Sequence, residues 1–260
     1  MRPTLEYTAL NRVGWERIAP DRHPQSPEFY TAGGSTLSAL ETDFLPEVRG
    51  KRMLHLACAN GNDSLSWAAR GASVTGVDLV ASAVETANRT ADAAGLDARF
   101  LAADVYRLPE GLRRFDVVQL SWGAICWMPD LAEWARIVAA HLVDGGVLAL
   151  FEHHPVWEML KVAGGQVRVD ADYFGRGTPS ALRGADRRRM TGWREEVEFA
   201  SFVWPLADVF TAVRSAGLEV ERFQEAPDPE MYDGLGEHAA SLPAVYALLA
   251  RKGRREDAGG

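Results

Sequence analysis

Residues 53–79 constrain this chain more than any other stretch. Met53 to Cys58 is a short apolar run with one histidine in it, His55, and reads as a buried parallel strand. Ala59, Asn60 and Gly61 form a turn of small residues. Asn62 and Asp63 can cap the helix that follows, in which Leu65, Ala68 and Ala69 share one face. Gly71 stops that helix, and Val74 to Val77 is a second strand ending in an acid, Asp78. Strand, tight turn, helix, and strand ending in an acid make up the nucleotide-binding half of a doubly wound α/β sheet. The turn lets a ligand approach the backbone, and the acid can accept two hydrogen bonds from a ribose diol. A Gly-x-Gly-x-x-Gly fingerprint is absent, which argues against a dinucleotide oxidoreductase.

The pattern continues down the chain. Ala81 to Ala94 is helical and ends at Gly95; Ala98 to Ala102 is a third strand, followed by Ala103, Asp104 and Val105. Phe115 to Leu120 is a fourth strand running into Ser121, Trp122 and Gly123. Leu131 to Leu142 is a helix with Leu131, Trp134, Ala135 and Val138 at core spacing, and Val147 to Phe151 is a fifth strand. A helix at Leu206–Ser215 and strands at Leu218–Phe223 and Val245–Ala250 close the chain. Before the core, Asn11 to Ala19 and Ser35 to Phe44 read as short helices separated by Pro20, Pro24 and Pro27. Residues 152–204 read as an insertion with strands at Gln166–Val169 and Val197–Val203 around a Gly/Arg-rich stretch.

The first loop (His55, Leu56, Ala57, Cys58, Ala59, Asn60, Gly61), the acids Asp78 and Asp104, and the Phe-Asp-Val-Val of the fourth strand together resemble class I S-adenosylmethionine-dependent methyltransferases. In that family the first loop usually reads Asp-x-Gly-Cys-Gly-x-Gly; here the acid is a histidine and two glycines are alanines. Trp-Gly-Ala-Ile-Cys-Trp-Met-Pro-Asp-Leu and Glu-His-His-Pro further resemble a broad bacterial branch acting on small molecules. The resemblance implies a Rossmann-like seven-stranded sheet with a reversed last strand, an N-terminal helical lid over residues 1–50, and a cofactor core over 51–151. Residues 152–204 are then a substrate cap, 205–252 complete the sheet, and 253–260 form a flexible tail.

It also implies S-adenosyl-L-methionine as cofactor and methyl transfer to N, O or C of a small, aromatic or apolar metabolite. The other reading left open is a binder of the cofactor with a regulatory or non-methylating role. Asp78 is expected on the ribose with Leu79 beside it, and Asp104 with Val105 at the adenine. Ala57, Ala59, Asn60, Gly61 and Ser121 are expected along the methionine end. The alternatives are ordinary: Asp78 as a helix cap, Asp104 as a turn acid, Asn60 as a turn residue, and His55 as a hydrogen-bonded strand histidine.

Composition narrows the partners. A formal net charge of −8 and pI of about 5.3 disfavour a nucleic-acid backbone as substrate. Two cysteines, Cys58 and Cys126, offer neither a disulfide framework nor metal-ligand spacing, so no metal is expected. No stretch reaches the length of a membrane span and no signal core opens the chain, so a cytoplasmic protein is expected, with a homodimer left open. Methyl transfer needs chiefly alignment and, for some nucleophiles, a base. Glu152, His153 and His154 leave the fifth strand at the edge where such sheets bind ligands, and His154 is the expected base. Strand alternation puts Glu152 and His154 on one face and His153 on the other. Trp15, Tyr30, Trp122, Trp127 and Trp157 are expected as aromatic walls of the acceptor pocket, with Trp193 and Trp204 as further aromatics and Arg187, Arg188 and Arg189 as a candidate acid-binding run.

Overall fold

The computed structural model describes residues 2–19, 23–163, 166–175, 179–183, 198–232 and 234–253. Seven strands form one sheet: β1 (Arg52–Leu56), β2 (Ser73–Asp78), β3 (Ala98–Ala102), β4 (Phe115–Ser121), β5 (Leu142–His153), β10 (Leu218–Ala226) and β11 (Val245–Lys252). Their order is β10-β11-β5-β4-β1-β2-β3. The five central and far strands pair in parallel, whereas β11 runs antiparallel to both β5 and β10. The chain winds outward from β1 through β2 to β3, then returns to lay β4 on the other side of β1. That reversal opens a crevice at the carboxyl ends of β1 and β4, the place where open α/β sheets bind ligands.

Both faces of the sheet are covered, so its strands are apolar on both sides. On one face Leu54, Leu56, Val118, Leu120, Leu148 and Leu150 pack against Trp134 and Val138 of α6 (Leu131–His141) and Val209 and Val213 of α8 (Leu206–Ser215). On the other, Met53, Val117, Ala149 and Phe151 meet Trp67 of α4 (Asn62–Ala69) and Phe44 of α3 (Ala39–Phe44). Helix α5 (Ala81–Ala94) ends on Gly95 in left-handed backbone, as a C-terminal glycine should. Its Val84, Ala87 and Ala91 pack on Phe100.

Three local expectations differ from the structure; one is the helix expected from Ser35, which starts at Ala39 after the Ser38 cap. The first helix is α1 (Arg2–Ile18), far longer than a stretch beginning at Asn11. Its buried stripe is Thr4, Thr8, Asn11 and Ile18, mostly polar, so hydrophobic spacing shows only its second half. Helix α4 starts after Gly61, which sits at φ +77° without a side-chain cap; neither Asn62 nor Asp63 caps it. Between α1 and α3 lies the short α2 (Pro27–Thr31). After β5 come α7 (Pro155–Met159), the antiparallel pair β6 (Leu160–Ala163) with β7 (Gln166–Val169), and the pair β8 (Ser180–Arg183) with β9 (Glu198–Ser201). β9 packs on α1: Asn11 donates to the Ala200 carbonyl and accepts from its N–H, both at 2.8 Å. Arg187, Arg188, Arg189 and Trp193 lie outside the described residues. No described helix is long and apolar enough to cross a membrane.

Candidate active site

A cavity of about 500 Å³ opens over the carboxyl ends of β1 to β4, within the range of small-ligand sites, roughly 300–1,000 Å³. Its floor is the first loop. Ala57 and Ala59 take φ of +53° and +51°, so the two alanines that stand where the family favours glycine keep the left-handed path. Asp78 Oδ2 accepts from the Ala59 N–H at 2.7 Å and Oδ1 from the Val80 N–H at 3.0 Å. The acid therefore holds the loop and opens the next helix. Gly61 does not line the cavity. A side chain there would strike the Phe100 ring 2.7 Å away, so this glycine serves packing as well as the turn.

Asp104 caps a short 3-10 turn, accepting from the Tyr106 N–H at 2.9 Å, and takes a 2.6 Å hydrogen bond from the Thr8 hydroxyl of α1. Around it stand Val105, Tyr106, Trp127 and Met128, with Leu79 and Val80 nearer Asp78. Trp15 meets Trp127 edge-on at 5.2 Å and Phe199 of β9 at the same distance. Helix α1 and β9 thus roof the cavity together.

Beyond Ser121 the wall is Trp122, Gly123, His55, Asp63, Thr36 and His153. Trp122 holds φ of +41°, an uncommon state for a bulky residue and one that concentrates at functional sites. Behind it, the fully buried Glu152 accepts from the N–H groups of Gly123, Ala124 and Ile125. Burial drives the Glu152 carboxyl up to about 8, against the pull of those three donors. His55 is bonded through both ring nitrogens, to Ser64 at 2.8 Å and to Ser121 at 3.0 Å, and burial lowers it to about 4, so it is neutral.

Besides Gly61, five expected residues fall elsewhere. Glu152 braces the loop after β4 and does not reach the cavity. His154 is turned to the sheet edge: Nδ1 accepts from the Val156 N–H, leaving Nε2–H to donate to Glu225 of β10 at 2.7 Å. Both its nitrogens are engaged and the ring is buried, so it has none to offer a substrate. Alternation instead aims His153 into the cavity, its ring edge-on to Trp157 at 4.9 Å and its Nδ1 3.9 Å from Glu158. Tyr30 is buried among Cys58, Leu65 and Phe100, its hydroxyl on Asn62, and is no wall of the cavity. Trp157 donates to the Met231 carbonyl and packs with Tyr232, also off the cavity. Trp204 donates to the Met128 carbonyl and is not among the cavity-lining residues. Thr8, Asn11, Thr36 and Asp63 line the cavity without having been foreseen in that role; only Asp63 carried a local signal, an acid in the first turn after the loop.

A protein-family profile described as a methyltransferase domain matches residues 53–146, the span of the loop, both acids and β4. That span is 94 of the 260 residues, and over it the chain is similar to a methyltransferase domain. The demethylmenaquinone methyltransferase of Thermus thermophilus is 35% identical over 118 residues, covering 44% of this chain and 52% of that protein. The chain thus spans about half the length of that curated relative. Among solved structures, an S-adenosylmethionine-dependent methyltransferase from Mesorhizobium loti superposes with TM-score 0.62 at 22% identity, over 81% of this chain and 94% of the other. The 4+2 cyclase SpnF shares the fold as well, with TM-score 0.58 at 18% identity over 93% and 96% of the two chains. The residues matched by that profile therefore supply the floor of the cavity, while Thr8, Asn11 and Trp15 of α1, Thr36 before α3 and His153 at the end of β5 complete its walls.

Proposed function

We propose that this protein transfers the methyl group of S-adenosylmethionine to a small molecule held under the α1–β9 roof. The observation that carries the reading is one continuous cavity with Asp78 and Asp104 at one end and Trp122 with His153 at the other. In this reading Asp78 takes the ribose hydroxyls, with Leu79 alongside, and Asp104 with Val105 takes the adenine edge. The backbone of Ala57 to Asn60 and Ser121 frame the methionine end, with Gly61 shaping the turn behind them. Bound there, the cofactor supplies an electrophilic methyl group on a sulfonium with a thioether as leaving group.

The chain's own residues then have to place the acceptor and take its proton. Trp15, Trp122 and Trp127 offer flat apolar faces for an aromatic or apolar body. His153 is the base candidate, held between Trp157 and Glu158. The likeness to a cyclase favours a second reading, cofactor binding without methyl transfer, since fold by itself does not set the chemistry. Incubation with labelled S-adenosylmethionine and a panel of small phenols, quinols and amines separates the two. Methylated product with matching S-adenosylhomocysteine supports transfer; tight cofactor binding with no turnover on any acceptor favours the second reading.

A further inference from the structure

The neutral His55 leaves the negative charge at this end of the cavity to Asp63. The Thr36 hydroxyl donates to Asp63 Oδ1 at 2.6 Å, and Ser121 supports the same carboxylate. Since His55 bridges Ser64 and Ser121, one arrangement satisfies every group. Ser64 donates to Nδ1, Nε2–H donates to Ser121, and the Ser121 hydroxyl is left to donate to Asp63. Two hydroxyls therefore converge on one carboxylate in the cavity wall. The surroundings hold an excess of acceptors. Glu41, with no exposed surface, lies close enough for Asp63 to raise its proton affinity. Gln119 donates its amide to Glu41, and its own fully buried carbonyl oxygen has no partner among the described residues. No lysine or arginine among the described residues lines the cavity. A half-buried anion held by hydroxyls without a cation is costly unless a ligand completes it.

We propose that Asp63, supported by Thr36 and Ser121, is the recognition site for an alkylammonium group of a bound ligand. The inference rests on the cavity being the cofactor and acceptor site. Two molecules can bring that group: the cofactor through its amino-acid end, or an amine acceptor. Calorimetry on wild type and Asp63→Asn separates them, with S-adenosylhomocysteine, its analogue lacking the amino group, and n-butylammonium added to the S-adenosylhomocysteine-loaded protein as probes. If the cofactor supplies the cation, wild type prefers S-adenosylhomocysteine over the deaminated analogue by roughly 10–100-fold and Asp63→Asn loses the preference. If the acceptor supplies it, the variant keeps cofactor affinity and loses butylammonium binding. A variant that matches wild type on all three probes overturns the proposal. Wild-type affinity for S-adenosylhomocysteine tests the underlying site separately. Should Asp63→Asn fail to fold, Thr36→Val keeps the charge, removes one supporting hydroxyl and should weaken the same discrimination; no change there counts against the site.

Discussion

Ala57 and Ala59 hold a left-handed backbone that costs an alanine about 1–2 kcal/mol relative to glycine. The Asp78 carboxylate on the Ala59 N–H helps to hold that conformation. Ala59→Gly should therefore stabilise the protein by about 0.5–1 kcal/mol, once the larger entropy glycine loses is included; urea unfolding measures it, and a loss of stability would show the loop to be unstrained. On the proposed assignment of Asp78 to the ribose, Asp78→Ala should weaken S-adenosylhomocysteine binding by roughly 2–4 kcal/mol, the worth of two charge-assisted hydrogen bonds. Unchanged affinity in a folded variant would take Asp78 out of the site. The two histidines make opposite predictions. His153→Ala should lower turnover by roughly 10²–10⁴ with cofactor affinity intact. His154→Ala should leave turnover largely in place and lower the thermal midpoint, since it strips the cap of α7 and the bond to Glu225. The reverse pattern would return the base to His154.

At the scale of elements, the roof is built from pieces far apart in the chain. Asn11 of α1 pairs both its amide groups with the Ala200 backbone of β9, and Gly14, one turn further, leaves room for the Phe199 ring. A methyl group at position 14 would lie 2.4 Å from that ring. Gly14→Ala should lift β9 from α1, so that proteolysis cleaves the region near β9 faster and cofactor affinity falls as Thr8 moves off Asp104. A roof that resists cleavage as in wild type would mean the ring can rotate aside. Gly14 and Asn11 read in sequence as unremarkable residues of a polar helix. Their role depends on a strand nearly two hundred residues away, which no local pattern reports.

At the scale of the whole molecule, buried titratable groups tie stability to pH. Burial raises Glu41 to about 7 and Glu152 to about 8, so the folded state binds more protons than the unfolded one above the ordinary carboxyl range, and stability falls as pH rises through those values. His55, lowered to about 4, works the other way: its stability deficit at acid pH disappears as pH rises toward 6.5. Between pH 6.5 and 8 the raised carboxyls pull stability down, by up to about 1.4 kcal/mol per pH unit for each group. The lowered histidines oppose this, and their contribution fades as pH passes about 7.5. Glu41→Gln, which keeps an acceptor for the Ser38 capping box, should flatten the lower part of that fall in unfolding measured at pH 6.5, 7 and 8. An unaltered slope would show Glu41 already ionised.

The sequence by itself determined the order of the seven sheet strands and of helices α4, α5, α6 and α8, the loop at 57–61, and the acids Asp78 and Asp104 that follow strands. Periodicity, glycine stops and turn residues are local, and helices such as Ala81–Ala94 and Leu206–Ser215 were legible to the residue. Alternation even separated His153 from its two neighbours. Which of the three faces the cavity was decided only in three dimensions, because Glu225 of β10 engages His154 and the backbone of residues 123–125 engages Glu152. Tyr30, Trp157 and Asp63 follow the same rule. An aromatic ring fits core and pocket equally well in a one-dimensional pattern, and a carboxylate's role is set by hydroxyls such as Thr36 and Ser121, brought to it by the fold from distant parts of the chain.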